Sequence, residues 1–221
     1  MNSGRDSMNK LIIGALLLTT FGALNTQPAF DEQKGKEKTE EVAQPLVKKD
    51  VYVPNPQLPD DMNLNQIGQT VSDAKGELTL KAYDKSNESV KVGPIEVVIK
   101  DMKVMHAFPD YSMIDFFHGY THDDEFDIVK VNVEIKNTSD KNVMFSPVAF
   151  LETNTGKHMT WEDDIYLEEL NGEIEGNGSK QGNIGFILSA KDAKEISFMT
   201  SDAVDSEGEV LSKGKSMEFS F

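Results

Sequence analysis

The chain has 221 residues and a formal charge of −16, from 22 basic and 38 acidic side chains. A field of that sign repels nucleic acid and anionic membrane surfaces and favours cationic partners or divalent ions, and the basic stripe that nucleic-acid recognition needs is missing. No cysteine occurs, which excludes disulfides, thiolate chemistry, zinc ribbons, iron–sulfur centres and the acylated cysteine of a lipoprotein.

Leu11 to Leu24 reads LIIGALLLTTFGAL behind Arg5 and Lys10. An apolar run behind a basic flank is the pattern of a secretory signal, and this run is shorter than the roughly 20 residues of a membrane-spanning helix. Met8 opens a more conventional form of the same signal, and Ala23, Asn25 and Ala29 are alternative cleavage ends. Residues 1–30 are therefore expected to be a signal peptide or, uncleaved, an N-terminal membrane segment. The protein is expected to be extracellular or at the cell surface, touching a membrane only through that segment.

Residues 31–74 are rich in charge and glutamine and hold Pro45, Pro54, Pro56 and Pro59. Such composition buries too little apolar surface to offset the entropy of ordering, which predicts a flexible polar linker. Val51, Tyr52 and Val53 are its one candidate for an added edge strand.

From residue 75 to 221 the pattern is that of strands. Val129, Val131, Val133 and Ile135 alternate with Lys130, Asn132, Glu134 and Lys136, giving a dry face and a wet one. The same alternation runs through Leu78/Leu80/Ala82, Ile95/Val97/Ile99, Ile184/Phe186/Leu188, Ile196/Phe198 and Met217/Phe219/Phe221. Turn residues separate these runs at Asp84–Asn87, Asn137–Asp140, Asn154–Gly156, Asn177–Gly178 and Ser206–Gly208. Short one-sided strands between turns predict an all-β domain, two antiparallel sheets packed as an immunoglobulin-like sandwich. A phase slip near Val97–Val98 predicts a β-bulge.

His106 to Asp127 reads HAFPDYSMIDFFHGYTHDDEFD, the most unusual text in the chain. Phe108, Tyr111, Phe116, Phe117 and Tyr120 make it a candidate contact surface, because monomers seldom expose large apolar patches and recognition residues sit on loops. The competing expectation is that about half of these side chains, counted with Met113 and Ile114, complete the core or cover a sheet edge. His118, His122, Asp123, Asp124 and Asp127 are the candidate zinc or calcium ligands. His at i and i+4 share a face on a helix, but Gly119 lies between them and no helix is indicated. Thr160 and Asp163 form a weak capping pattern before Trp161, Ile165 and Leu170. The stretch is expected to be an acidic loop with Trp161 closing one end of the sandwich.

Asn171 to Gly176 begins like a calcium loop, but Gly182 stands where the bidentate Glu belongs. Weaker calcium candidates are Asp205, Glu207 and Glu209, and Glu162 with Asp163 and Asp164. There is no nucleophile beside a base, no phosphate loop and no dinucleotide fingerprint, so no enzyme is expected.

Several segments carry a family resemblance: VKVGPIEVVIKDMKV from Val90, FDIVKVNVEIKNTSDKNVMFSP from Phe126, FLETNTGK from Phe150, LNGEIEGNGSKQGNIGFILS from Leu170 and KEISFMTS from Lys194. In order and spacing they resemble the telokin-like domain of unknown function of exported proteins and lipoproteins of Gram-positive bacteria. That domain is similar in fold to the mycobacterial immunoprotective extracellular antigen. The resemblance implies an immunoglobulin-like fold and no catalytic residues. The chain departs from it in FGALNT (Phe21 to Thr26), which lacks the lipobox cysteine of many relatives, and in a longer loop at Ala107 to Asp127.

The reading that results is an exported interaction module, without cofactor, binding an extracellular protein or ligand through its loops. The alternative is a metal- or small-ligand-binding protein that uses His118 to Asp127.

Overall fold

The computed structural model describes residues 54–85, 87–188 and 194–220. The expected signal (residues 1–30), linker residues 31–53 with Val51–Val53, and the end of the last strand at Phe221 lie outside them.

The described chain is almost entirely β. Its strands are β1 (Thr70–Asp73), β2 (Gly76–Asp84), β3 (Ser89–Val92), β4 (Ile95–Pro109), β5 (Phe126–Asn137), β6 (Val143–Phe145) and β7 (Phe150–Thr153). They continue as β8 (His158–Thr160), β9 (Gly172–Ile174), β10 (Ser179–Leu188), β11 (Glu195–Met199), β12 (Ala203–Asp205), β13 (Val210–Ser212) and β14 (Ser216–Ser220). The large sheet runs β1-β2-β4-β5-β10, with β3 also on β4; two smaller sheets run β14-β11-β7-β8 and β13-β12-β6-β9. Every pairing is antiparallel. The turns fall where turn chemistry predicted them, as at Asn137, whose Oδ1 accepts from the Ser139 N–H and whose Nδ2 donates to the Lys141 carbonyl.

Alternation decides the inner face. Val97, Ile99, Val129, Val131, Val133, Ile184 and Phe186 of the large sheet join Val143, Phe145, Leu151, Phe198, Ala203 and Phe219 of the smaller sheets in one buried cluster. Burying each of the valine, leucine, isoleucine and phenylalanine side chains contributes about 1.5–3 kcal/mol relative to exposure. The bulge lies slightly later than expected, between Ile99 and Asp101. Up to it the odd residues of β4 face inward; beyond it Met102 and Val104 do. A second shift between Leu80 and Ala82 does the same in β2, so Leu78 and Leu80 face outward whereas Ala82 packs inward.

Part of the outer face, around Leu80, Met105 and Ile128, is covered rather than solvated, and the structure corrects three expectations. The linker boundary at residue 74 is too late. Leu58 and Leu64 are buried against Leu78, Leu80, Met105, Phe126 and Ile128, and β1 begins at Thr70. Leu58-x-x-Asp61-x-x-Leu64 carries too few apolar residues to show as a period, yet two leucines suffice when a groove is there to receive them. The 106–127 segment holds a 3-10 turn at Tyr111–Met113 and a short helix, α1 (Ile114–Phe117), ending at His118. The Thr160–Asp163 capping box forms, but it caps only one 3-10 turn, Trp161–Asp163. Trp161 is exposed, and Ile165 and Tyr166 are the residues that close over the sheet.

Candidate functional site

The candidate contact segment links the outer end of β4 to the start of β5, and its five aromatics divide between two tasks. Phe117 is buried, 5.0 Å between ring centroids from Phe126. Phe116 stands edge-on to Phe117 at 4.9 Å, and Tyr120 lies 5.5 Å from Phe116, both half-buried against the outer cluster. Burial, with Asp164 and Asp163 nearby, raises the Tyr120 hydroxyl above its ordinary pKa. These three complete the core.

The other two face solvent: Phe108 is 54% exposed and Tyr111 85%. Both are held on rigid backbone. Phe108 pairs with Glu77 across the β2–β4 ladder, and Gly76 lets the strands close here, since a Cβ on it would collide with the Phe108 carbonyl. Tyr111 opens the 3-10 turn that Asp110 caps, its Oδ1 accepting from the Ser112 N–H at 3.0 Å and hydroxyl at 2.8 Å. Those bonds hold the Asp110 carboxyl below the usual range. Phe108 also lines an open recess with Asp123, Asp124 and Glu125. An aromatic wall beside three carboxylates suits a cationic group that offers an apolar stem.

The candidate metal ligands do not converge. His118 and His122 have ring centroids 6.0 Å apart. Asp123 and Asp124 line the recess. Asp127 is buried elsewhere, with Oδ1 2.9 Å from His106 Nδ1 and Oδ2 accepting from Lys81 Nζ at 2.5 Å. Among the described residues no three His, Asp or Glu side chains group as a ligand set. Two of the weaker calcium candidates are taken up by backbone: Asp205 accepts from the Glu207 and Glu209 N–H groups, and Asp164 from those of Tyr166, Leu167 and Gly185. Gly172–Ile174 is a strand.

The most concentrated charge lies where the sequence reading placed no site. Tyr83, Lys103, Lys130 and Gly185 are successive neighbours in one row across the outer face of β2, β4, β5 and β10. Two lysines directly opposite one another repel, and both are buried, at 4% and 5% exposure. Asp61, 3% exposed, settles between them. Its Oδ1 accepts from Lys130 Nζ at 2.7 Å and its Oδ2 from Lys103 Nζ at 2.9 Å, while its carbonyl accepts from Lys103 at 2.6 Å.

Aromatic faces complete the seat: Lys103 Nζ is 5.6 Å from the Tyr83 ring centre and Lys130 Nζ 5.6 Å from that of Tyr166. Gly185 makes room for Tyr166, whose ring would clash with any Cβ there. Beside the seat, burial pushes the Asp101 carboxyl above its ordinary value, against the opposing pull of Lys130 and Lys103. Lys103 and Lys130 could be read from the sequence only as two among several wet-face positions of their strands. Nothing local marked Asp61 as their partner.

Residues 65–210 match the family described as "Domain of unknown function (DUF4352)". Across 230 residues the chain is 43% identical to the uncharacterized protein YdhF of Bacillus subtilis (strain 168), covering 96% of this chain and 98% of that protein. Among solved structures, a functionally unknown protein of Listeria monocytogenes EGD-e aligns with a TM-score of 0.48 at 16% identity, over 66% of this chain and 87% of its own. The candidate lipoprotein YcdA of Bacillus subtilis aligns at 0.39 with 22% identity, over 61% and 39%. The chain belongs to the DUF4352 family of domains of unknown function.

Proposed function

We propose that this chain is an exported, cell-surface interaction module of the immunoglobulin-like kind that binds a cationic protein or ligand through the Phe108–Glu125 surface. Phe108 and Tyr111 carry the reading: two large aromatics held exposed on rigid backbone, the first of them lining a recess of three carboxylates. Rigid presentation lowers the entropy lost on binding, and aromatic side chains dominate binding energy at protein interfaces. The acidic charge of the whole chain steers a cationic partner toward any such surface. Export rests on the apolar run Leu11 to Leu24 behind its basic flank. The non-enzymatic reading rests on the sequence, which holds no nucleophile beside a base.

The test is site-specific photocrosslinking in intact cells, with a photoreactive residue at position 108 or 111 and, as control, at 213 on the exposed Lys213 side chain. A discrete adduct from 108 and 111 but not 213 supports the surface. Equal adducts from all three positions, or none, sink it. External protease separates the two halves of the proposal, since digestion of the tagged chain on intact cells requires export.

A further inference from the structure

Residues 54–64 form a strap that differs in kind from the domain beneath. The strap precedes residue 65, where the family match begins, and contributes no strand, the first ladder opening at Thr70. It is held to the domain by Leu58 and Leu64 in the outer cluster, by Asp61 on its two lysines, and by Lys75 Nζ donating to the Asn55 carbonyl at 2.9 Å. The groove is built from the family-matched part alone. Its row Leu80, Met105, Ile128 and Ile187 receives apolar side chains, and the adjoining row holds the lysines.

Without an occupant, that groove would leave Lys103 and Lys130 side by side without the Asp61 carboxylate, Asp101 being a neighbouring carboxyl that both lysines act on. An occupant that covered the lysines without a carboxylate would bury two unpaired charges, which is strongly destabilising, so whatever fills the groove has to bring an anion. We infer that the groove is a receptor for an extended acidic peptide of the pattern Leu-x-x-Asp-x-x-Leu, and that the strap is the occupant supplied in cis that keeps it closed. The central carboxylate bridges both ammonium groups, and leucines three residues to either side enter the apolar row. Exchange of one such peptide for another preserves the ion pairing. Simple departure of the strap does not, so the site opens by displacement. Tethering gives the strap a high effective concentration, which makes it a plug that a free peptide must outcompete.

The test uses the full chain carrying Leu58→Ala, Asp61→Ala and Leu64→Ala, titrated with a fluorescein-labelled synthetic peptide of residues 54–66. The variant should bind it saturably, and the unmodified chain at least about tenfold more weakly, because its own strap competes. A peptide with Asn in place of Asp61 should also bind at least about tenfold more weakly than the parent. A folded variant that fails to bind, or that binds the Asn peptide equally well, overturns the inference. If the variant does not fold, hydrogen exchange on the unmodified chain decides. A separable strap exchanges its Leu58 and Leu64 amides at least about tenfold faster than Val131 and Val133, whereas one common rate for all four overturns it.

Discussion

The inner face of the large sheet and the strap-covered part of its outer face are both buried, by opposite chemistry. The inner face meets the smaller sheets with Val97, Ile99, Val131 and Phe186, an apolar cluster with no charged side chain among its buried residues. The outer face grades within two rows from Leu80, Met105, Ile128 and Ile187 to Tyr83, Lys103 and Lys130, and the cover lies outside the family-matched residues. An apolar face accepts any partner of suitable shape, because burial energy is non-directional. A face with two buried ammonium groups accepts only a cover that brings an anion to a defined point. The first arrangement stabilises the domain; the second selects what lies on it.

The sharpest way to break this comparison is to remove the anion alone. Asp61→Ala leaves two buried lysines without their shared carboxylate and should cost about 3–5 kcal/mol in chemical denaturation. Adding Lys103→Met and Lys130→Met to it should recover most of that loss, since replacing a buried ionic cluster by apolar groups is about neutral or stabilising. A triple variant as unstable as the single one would mean that the lost stability came from packing rather than charge.

A smaller effect sharpens the same contrast through pH. Asp101 titrates above its ordinary value in the folded protein because it is buried. The folded state then holds this proton more tightly than the unfolded chain, and ionising Asp101 lowers stability as pH rises through the window above its ordinary 3.8. Asp101→Asn should therefore be more stable than the unmodified chain at neutral pH, with the gain fading as pH falls through that window. Glu134 is a counter-example on the same sheet. The Lys100 ammonium, hydrogen-bonded to it, holds its carboxyl below the ordinary value. Its contribution is complete at neutral pH and lost as pH falls through its lowered value. Thermal melts of both chains from neutral pH to pH 4 check the difference, and a gain for Asp101→Asn that persists at the acid end would refute it.

The smallest effect is expected where the molecule faces solvent. Phe108→Ala and Tyr111→Ala should each change stability by no more than about 0.5 kcal/mol, because neither side chain is buried. Phe117→Ala, in the same segment, should cost about 3–5 kcal/mol. Equal losses at all three positions would place Phe108 and Tyr111 in the core and remove the proposed contact surface.

The 106–127 segment shows how far its composition could be read. Its excess of aromatics marked it, and the expectation that about half would turn inward matches Phe116, Phe117 and Tyr120. Which ones turn inward depends on α1, four residues too short to leave a periodic trace. The His118–His122 spacing suggested ligands, but the helix ends at His118, so the shared face that i, i+4 spacing needs is never built. Asp127 looked like part of an acidic run and is an ion-pair partner of Lys81 and a hydrogen-bond partner of His106. Its backbone neighbours gave no hint of that.

What the sequence determined by itself is what depends on neighbours along the chain: period-two alternation made the strands, polar clusters made the turns, and together they made an all-β antiparallel domain. The tertiary structure decided what depends on neighbours in space. Alternation says which face a lysine takes but not which residue lies across from it. One bulge sets the register that puts Lys103 opposite Lys130, and a second brings Tyr83 beside Lys103. Asp61, 69 residues before Lys130, completes the seat. Between residues so far apart the backbone carries no local signal, and only the folded sheet brings the charges within reach of each other.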